Sequence, residues 1–484
     1  MTKTIIEQLA DFAADTDYDR LPADVARESK RAILDSIGCA LAAIDQPRGK
    51  AGIEYGRLTG GAGGDATIIG TDGRVSIFGA AFANGELINT LDMDAVLPPG
   101  HVSPYVIPGI LAVGESLGLS GKQVIAATAV AHEMSNRMGK AVDYLRDTKD
   151  GNATPPKVFG YSCTVFGAAA AIAKLRGLSR QMTVDALGIA GCIAPVQSQV
   201  AWFQHAPNST IKYLHAGILT QTAFTASYMA ELGHRGDVQV LDDREYGYPR
   251  FTNTTRWEPN KIVDGLGEVW YFPKEASYKP YPHCRIMHAL FDALIDIVET
   301  NDIKPHEIEH MTAWIEGFAE QPCWTNREIK IPHDAQFSMA HGLALAAHRV
   351  PPGKDWQDPA LVFSDSVMSL MGRTDHIVHP DYVKLLSGNP ASRPAHIEVT
   401  ARGQTFIGER RYPRGSNNVP EPGIEFTDED LVAKYRHNAQ GVLPEANIEA
   451  IAELVMNLEA VDDLRSVMQL TSPSASLFRA RAAE

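Results

Sequence analysis

The spacing of apolar and polar residues predicts helices along most of the first half of the chain. After Pro22, apolar side chains such as Val25, Ile33 and Ile37 recur on one helix face. Asp24 is the expected N-cap of this helix. Further helices are predicted over residues 124–134, 166–175 and 211–232.

Small residues recur on these predicted helices. They are Gly38, Ala40, Ala42, Gly167, Ala168, Gly217, Ala223 and Ala226. Small side chains allow two helix axes to approach closely, so an interlocked all-α body is expected rather than a sheet core.

The pattern changes after about residue 270. The elements predicted there are a helix from His283 to Val298, a strand over 307–315, a helix over 335–347, a β-hairpin formed by 395–400 and 405–411, and amphipathic helix from 428 to 468. The predicted fold class is therefore mainly α with an α+β insert. We expect a helical domain built from residues 1–270 and 412–484, and an α+β domain at 271–411.

Composition and charge narrow the class of protein. The chain has 484 residues, of which 44% are hydrophobic, and 44 basic against 59 acidic residues give a formal charge of −15. This balance argues against nucleic acid and anionic membrane surfaces as partners. It does not argue against a small anionic ligand, because a basic cleft can exist on an acidic protein.

Cysteine usage and the apolar runs predict the compartment. The five cysteines are scattered and form no C-x-x-C pair, which is typical of free thiols in a reducing cytosol without structural zinc. The amino terminus lacks the apolar run of a signal peptide. Apolar stretches such as 165–173 are shorter than the ~20 residues that span a bilayer. The expected location is cytoplasmic.

The segment from Asn84 to Pro108 carries the first candidate site. Asp92, Asp94 and His101 lie on a proline-broken stretch between two apolar segments, where an unpaired charge would be costly to bury. One interpretation is a functional loop. The alternative is a helix end and a capped turn with Asp94 at the surface. A metal site is a weaker alternative, because D-x-D spacing specifies no particular metal.

Two basic clusters are further candidates. Lys212 and His215 are spaced for one helix face in otherwise apolar surroundings. Lys212 either serves a site or simply pairs with an acid or caps carbonyl groups.

In the second cluster, Lys279 and Arg285 lie around the expected start of a helix at His283. A basic residue there opposes the helix dipole unless an anion is bound at that end. The alternative is that Arg285 pairs with an acid of the body. Cys284 is more plausibly a buried thiol than a nucleophile.

Together the clusters suggest acid–base chemistry on a small polycarboxylate. Lysines and Arg285 would hold carboxylates while Asp92 or a histidine moves a proton, as abstraction next to a carboxylate requires. Other chemistries lack their motifs. The glycines between 60 and 64 are not followed by the G-K-[ST] of a phosphate loop, and no dinucleotide fingerprint, zincin motif or G-x-S-x-G elbow is present.

Several blocks, in their order and spacing, resemble the MmgE/PrpD family along nearly the whole chain. They are 34–38 (LDSIG), the 84–101 segment with LDMD and His101, 166–170 (FGAAA), 175–178 (LRGL), 212–217 (KYLHAG), 279–284 (KPYPHC), 334–338 (DAQFS) and 413–415 (PRG).

The resemblance implies a helical domain made from both chain ends, a smaller α+β lid domain and a homodimer. It also implies that no metal and no organic cofactor is needed. By matched position the catalytic residues are Asp92, His101, Lys212 and Lys279. The residues expected to bind substrate are Arg285, His283, His215 and Ser162.

The chain departs from the family pattern at several of these blocks. Ala95 and Val96 replace an acid and a threonine, Ser162 replaces a histidine, and Cys284 stands where one branch has another histidine. The departures imply a divergent substrate, less charged or bulkier.

The expected function is a cofactor-independent lyase, a dehydratase acting on a small di- or tricarboxylic acid in the manner of 2-methylcitrate dehydration. Three alternatives stay open: an epimerase of an amino- or imino-dicarboxylate, a decarboxylase of a cis-aconitate-like acid, and a non-catalytic binding protein on this scaffold.

Overall fold

Helices dominate the first part of the chain. A computed structural model describes residues 3–144, 147–149, 152–153, 156, 160–196, 199–417 and 419–475. The helices up to residue 275 are α1 (Ile5–Asp15), α2 (Ala23–Ala43), α3 (Pro47–Gly60), α4 (Ile77–Asn89), α5 (Ser103–Leu117), α6 (Gly121–Ala141), α7 (Thr164–Leu175), α8 (Arg180–Ile193), α9 (Gln199–Gln204), α10 (His215–Glu231), α11 (Tyr248–Phe251), α12 (Asn260–Val263) and α13 (Phe272–Glu275). Short antiparallel pairs lie between them: β1 (Ala66–Thr67) with β2 (Arg74–Val75), β3 (Val96–Leu97) with β4 (Gly100–His101), and β5 (Thr148–Lys149) with β6 (Asn152–Ala153).

Local capping explains several helix starts. Ser120 caps α6, because its hydroxyl accepts the N–H of Gln123 while the Gln123 side chain accepts the Ser120 N–H. The prediction of Asp24 as the cap of α2 was wrong. Pro22 occupies the cap position, and Asp24 lies in the first turn, where its charge still favours the positive helix end.

Small residues bring the helices close together, as the sequence predicted. A Cβ on Gly167 of α7 would lie 2.4 Å from the Ala131 carbonyl oxygen of α6. On α10, a Cβ on Gly217 would lie 2.4 Å from the Phe82 ring of α4. Real Cβ atoms do not approach that closely, so these crossings require glycine.

The insert is a small mixed sheet with helices. Its elements are α14 (His288–Thr300), β7 (Ile308–Ile315), α15 (Pro322–Thr325), α16 (Pro332–Ala335), α17 (Met339–Ala347), α18 (Pro359–Val362), α19 (Asp365–Met371), β8 (Thr374–Val378), α20 (Tyr382–Gly388), β9 (Ala395–Ala401) and β10 (Gln404–Arg410). The strand order is β10-β9-β7-β8, with β7 and β8 parallel and the other pairs antiparallel.

The predicted strand at 307–315 and the predicted hairpin are confirmed. The helix start at His283 was wrong. A 3₁₀ turn covers Arg285–Met287, and α14 begins only at His288.

The chain end returns to the helical part as α21 (Asp428–Ala439), α22 (Glu445–Met456) and α23 (Arg465–Met468). One hydrophobic core contains residues of both chain ends, such as Ile37 and Ile451. A second core is formed mainly by the insert, with Trp202, Phe203 and Tyr213 added from the helical part.

The fold class, mainly α with an α+β insert, is therefore confirmed. The domain bounds at 1–270, 271–411 and 412–484 stay a prediction, and residues 1–2 and 476–484 lie outside the described residues. In the described ranges, no helix is both long and apolar enough to cross a membrane.

Candidate active site

A cleft of about 710 Å³ lies where the helical part meets the insert. Its described walls come from the β3–β4 region, the end of α6, residues 202–212, residues 256–286 and parts of the insert. Eight lysine or arginine side chains line the described walls, against three aspartates or glutamates. The cleft is thus basic although the whole chain carries a formal charge of −15.

Asp92 lies at the bottom of this cleft in a strained turn. It follows the end of α4, its N–H donates to the Asn89 carbonyl oxygen at 2.9 Å, and its φ of 50° is left-handed. Aspartate tolerates this conformation better than most residues, and such strain often marks functional positions. The turn directs a buried carboxylate at the cleft rather than at solvent.

Two lysines from distant parts of the chain meet at Asp92. Lys212 Nζ lies 2.5 Å from Asp92 Oδ1, and Lys279 Nζ lies 2.6 Å from Oδ2. Lys212 belongs to a 3₁₀ turn, Thr210–Leu214, that precedes α10. All three side chains are buried, so each charge depends on the others for compensation.

His101 is held beside this group by Asp94. His101 lies on β4, and its Nδ1 is 2.7 Å from Asp94 Oδ2. A carboxylate only accepts hydrogen bonds, so Nδ1 carries a proton, and Nε2 is directed at Asp92 and Lys212. Nε2 is 3.3 Å from Asp92 Oδ1 and 3.5 Å from Lys212 Nζ. The interpretation of Asp94 as a surface residue was wrong, because it is completely buried and also accepts from Asn89.

The charges of Asp92, Asp94, His101, Lys212 and Lys279, which form one buried cluster, change the pKa values of groups within the cluster. Burial by itself raises the pKa of Asp92, but Lys212 and Lys279 attract the carboxylate more strongly and hold its pKa well below the usual range. The pKa of Asp94 is lowered in the same way, mainly by His101 against the effect of burial. Burial lowers the pKa of Lys279, and Asp92 offsets part of that shift. Both aspartates are therefore carboxylates at neutral pH.

Backbone hydrogen bonds hold the segment before Lys279 against the β3–β4 pair. Val96 and Ser277 exchange backbone hydrogen bonds of 2.8 and 2.9 Å, and Tyr278 N–H donates to the Gly415 carbonyl oxygen at 2.8 Å. These bonds fix the segment just before Lys279 to the loop that carries Asp92 and His101. The buried group of Asp92, Lys212 and Lys279 is thus assembled from three stretches of chain.

Side chains behind the lysines hold Lys212 and the turn after α4 in place. The Tyr213 hydroxyl donates to Gln336 Oε1, and Gln336 Nε2 donates to the Thr90 carbonyl oxygen at 3.3 Å. The Arg48 guanidinium lies 4.6 Å from the centre of the Tyr213 ring and donates to the same carbonyl at 3.1 Å. These contacts connect α4, the 3₁₀ turn and the insert.

Arg285 lines the cleft, and its hydrogen-bond partners among the described residues do not include the body acid of one interpretation. That it holds an anion stays a prediction. Its guanidinium donates to the carbonyl oxygens of Pro413 and Arg414 and to the hydroxyls of Ser277 and Ser416. Burial lowers its pKa to about 9. Arg285 therefore fastens the segment at 413–416 to the segment that precedes Lys279.

Three other predicted binding residues do not line the cleft. Ser162 Oγ bonds to the Tyr248 hydroxyl at 2.7 Å. His283 Nε2 bonds to the Ser338 carbonyl oxygen at 3.2 Å, and burial lowers the pKa of His283 to about 3. His215 starts α10, one turn away from Lys212, and burial lowers its pKa to about 3 as well. Their role in binding substrate stays a prediction.

The structure also shows where the residues that depart from the family pattern lie. Val96 and Cys284 line the cleft, whereas Ala95 is buried and its N–H donates to Asp35 at 3.0 Å. Burial raises the pKa of the Cys284 thiol. Two of the departures thus change the wall of the cleft itself.

Sequence reasoning missed several residues of this cleft. It did not find the aromatic side chains at 202 and 337 or the outer basic side chains at 140, 256, 261 and 274. These residues are scattered along the chain and only the fold brings them together.

Both carboxylate oxygens of Asp92 are paired with lysine ammonium groups. Across the residues that the structure describes, no group of three histidine, cysteine, aspartate or glutamate side chains is arranged to hold a metal ion.

Comparison with known families identifies the chain. The model of the MmgE/PrpD N-terminal domain matches residues 7–260, and that of the MmgE/PrpD C-terminal domain matches residues 281–460. The chain belongs to the MmgE/PrpD family. Among individual MmgE/PrpD relatives, a cis-aconitate decarboxylase of Aspergillus terreus is 24% identical over 498 residues, covering 96% of this chain and 95% of the relative. The cis-aconitate decarboxylase of Homo sapiens is 25% identical over 489 residues, covering 96% and 93%, and that of Mus musculus is 25% identical over 498 residues, covering 97% and 94%.

Proposed function

We propose that this MmgE/PrpD protein is a cofactor-independent lyase that acts on a small di- or tricarboxylic acid by proton transfer next to a carboxylate. The observation that carries the proposal is the buried group of Asp92, Lys212 and Lys279 with the Asp94–His101 pair beside it. Such a group offers both cations for a carboxylate and a base for a proton.

The lysines are the proposed carboxylate site. Asp92, Lys212 and Lys279 together carry one net positive charge, and further basic side chains line the cleft. A substrate carboxylate can therefore share the two ammonium groups with Asp92. Neutralising that carboxylate lowers the barrier to forming negative charge on the neighbouring carbon.

His101 is the proposed base. His101 lines the cleft, its Nδ1–H donates to Asp94, and its Nε2 lies 3.3 Å from Asp92 Oδ1. A proton taken up at Nε2 would make an imidazolium whose ring lies between the carboxylates of Asp92 and Asp94, which stabilise it. Asp94 therefore acts as a positioning residue for His101.

In the proposed reaction these groups carry out a dehydration. His101 removes the proton, the C–H electron pair forms the double bond, and the C–O bond breaks as Lys212 protonates the departing hydroxide. Decarboxylation is the second candidate, favoured because the relatives named above are cis-aconitate decarboxylases. There the C–C bond to a carboxylate breaks, carbon dioxide leaves, and the electron pair takes a proton from Lys212 or protonated His101.

A substrate panel tests the proposal. The protein is incubated with citrate, 2-methylcitrate and cis-aconitate, and near-ultraviolet absorbance and released carbon dioxide are followed together. A dehydratase forms an absorbing alkene from a hydroxy acid without carbon dioxide, and a decarboxylase releases carbon dioxide from cis-aconitate. Deuterium exchange from solvent with neither change indicates an epimerase, and no reaction with tight binding indicates a binding protein.

A matched pair of variants tests whether the cluster around Asp92 carries the activity. Lys212→Met should lower kcat by about 100-fold or more, because a carboxylate partner and an acid are lost together. Lys30→Met is the control: Lys30 lies outside the cleft and pairs with Glu459 at 2.8 Å. Equal rates for both variants would contradict the proposal.

The homodimer that the family resemblance implies stays a prediction.

A further inference from the structure

Aromatic side chains form one wall of the cleft, and the proposed chemistry does not use them. This aromatic wall consists of Trp202, Phe203, Trp324 and Phe337. We propose that the wall is an apolar subsite, and that the substrate is a dicarboxylic acid that carries an alkyl or aryl substituent. The inference rests on the proposed function, because it assumes that carboxylates occupy the neighbouring lysines.

The rings are fixed by packing against one another. Trp202 and Phe337 meet edge to face with their ring centres 4.7 Å apart, and Phe203 stacks on Trp324 at 5.5 Å. The Trp202 indole N–H is already bonded to the Ser209 carbonyl oxygen at 2.6 Å. At Trp202 and Phe337 the wall therefore offers preorganised apolar surface rather than hydrogen-bonding groups.

The wall adjoins the reacting centre at two points. The Phe337 ring centre lies 5.8 Å from Lys212 Nζ. At the second point, Cys284 and Trp324 line the cleft together with Asp92. A protonated thiol behaves as a small apolar group. A substituent on a carbon beside the bound carboxylate therefore meets carbon and sulfur surface.

Charge is distributed unequally between the walls. Four outer basic residues come from the helical part, at positions 140, 256, 261 and 274, and one, Arg393, comes from the insert, whereas the aromatic wall packs into the core of the insert. A third carboxylate against Trp202 and Phe337 would lose its water without gaining a partner from those rings, which is costly. An alkyl or aryl group there gains by removing the rings and itself from water. A cleft of about 710 Å³ is also in the size range of sites for ligands larger than a bare dicarboxylate.

A ligand series on the wild-type protein tests the subsite. Succinate, 2-methylsuccinate, 2-propylsuccinate and 2-benzylsuccinate are titrated calorimetrically. We expect the affinity to rise by about fourfold for each methylene that is buried, with an increasingly negative heat-capacity change. If succinate binds and the substituted acids bind equally or more weakly, the subsite is overturned while the proposed function stands. If none of the four binds, both are overturned.

Three variants locate the effect. Trp202→Leu should lower the ratio of the 2-benzylsuccinate to the succinate affinity by about tenfold, because most of the ring contact is removed. Phe318→Leu is the matched control: Phe318 packs on Phe203 at 5.4 Å in the same core but does not line the cleft, so the ratio should be kept. Cys284→Leu should lower the ratio by filling the space beside Trp324, and it tests the subsite even if Trp202→Leu does not fold. An unchanged ratio in Cys284→Leu and in folded Trp202→Leu would overturn the inference.

Discussion

At the scale of single residues, Asp94 decides which nitrogen of His101 can take a proton. Its carboxylate lies 2.7 Å from Nδ1 and is itself held by Asn89 at 3.0 Å. If the acceptor at Nδ1 is lost, nothing fixes the tautomer that leaves Nε2 free. The proposed base therefore depends on a residue that does not touch the substrate.

Asp94→Asn should lower kcat by about 100-fold or more and change KM by less than about threefold. The asparagine amide can donate to Nδ1, which moves the ring proton to Nε2 and blocks it as a base. Steady-state kinetics over a range of pH on the substrate found in the panel measure this, and the acid limb of the kcat profile should shift.

Asp292→Asn serves as the control for that variant. Asp292 is another buried carboxylate, which accepts the Tyr281 hydroxyl at 2.8 Å, and it lies outside the cleft. The kcat of Asp292→Asn should stay within about threefold of the wild-type kcat. An Asp94→Asn protein with the kcat and pH profile of wild type would show that His101 is not the base.

Single charged residues were predictable from the sequence, but their partners were not. Asp92, His101, Lys212 and Lys279 could be selected because polar groups in apolar surroundings are unusual. The role of Arg285 could not, because its acceptors are carbonyl oxygens and hydroxyls that the fold supplies from residues 277 and 413–416. The sequence therefore indicates which charged side chains are buried, but it does not indicate which groups pair with them.

At the scale of elements, a buried glutamate joins α4 to α10. Glu86 Oε1 accepts the Gly217 N–H at 2.8 Å, where α10 approaches α4 closely. Burial raises the pKa of Glu86 to about 8. Since the unfolded chain has a glutamate pKa of about 4.3, Glu86 lowers stability progressively as the pH rises between these two values.

Glu86→Gln should raise the free energy of unfolding by about 2 kcal/mol at neutral pH. The amide oxygen can keep the bond to Gly217, and no charge needs to be neutralised on folding. Urea denaturation of both proteins measures the difference. The variant should also lose the decline of stability between about pH 5 and pH 8 that Glu86 causes.

Glu133→Gln is the contrasting variant. Glu133 is equally buried, but it bonds to Arg137 Nε at 2.6 Å and to two backbone N–H groups. Burial raises the pKa of Glu133 too, but removing its charge leaves the buried Arg137 guanidinium without a carboxylate, which should destabilise the protein by about 3 kcal/mol. If Glu86→Gln destabilises as much as Glu133→Gln, the protonated state assigned to Glu86 is incorrect.

Long helices and the hairpin were predictable because their periodicity is sustained over several turns. The two misplaced helix starts lie at short 3₁₀ turns. At 210–214 and 285–287 these turns share the i, i+3 spacing of an α-helix, so the sequence alone merged them with α10 and α14. Both turns carry a residue of the cleft, Lys212 in the first and Arg285 in the second.

At the scale of the whole molecule, buried neutral histidines make stability depend on pH. Burial is the main cause that lowers their pKa values, to about 3 for His215, His283 and His333 and to about 4 for His132 and His341. In the unfolded chain a histidine has a pKa of about 6.5. Below that pH the unfolded state binds protons that the folded state does not.

The five histidines should therefore lower stability as the pH drops from about 6.5 towards 4, by up to about 1.4 kcal/mol per pH unit each, and together they outweigh the opposite contribution of the single Glu86. The lowered pKa values of Asp92 and Asp94 add a further loss below about pH 4. Urea midpoints measured across this range test the prediction, and His132→Gln should make the dependence shallower. A midpoint that does not change between about pH 7 and pH 5 would contradict it.

In the proposed mechanism His101, held by Asp94 and next to two lysines, moves a proton at the carbon beside a bound carboxylate. Proton NMR in D₂O tests this step most directly, with cis-aconitate and the hydroxy acids as substrates for wild type, His101→Gln and the control His132→Gln. His132 is also buried, with its Nδ1 2.9 Å from the Thr128 carbonyl oxygen, and it lies outside the cleft. We expect turnover with solvent deuterium at that carbon in wild type and in His132→Gln, and a loss of about 100-fold or more in His101→Gln. Deuterium incorporation by His101→Gln at the wild-type rate would contradict it.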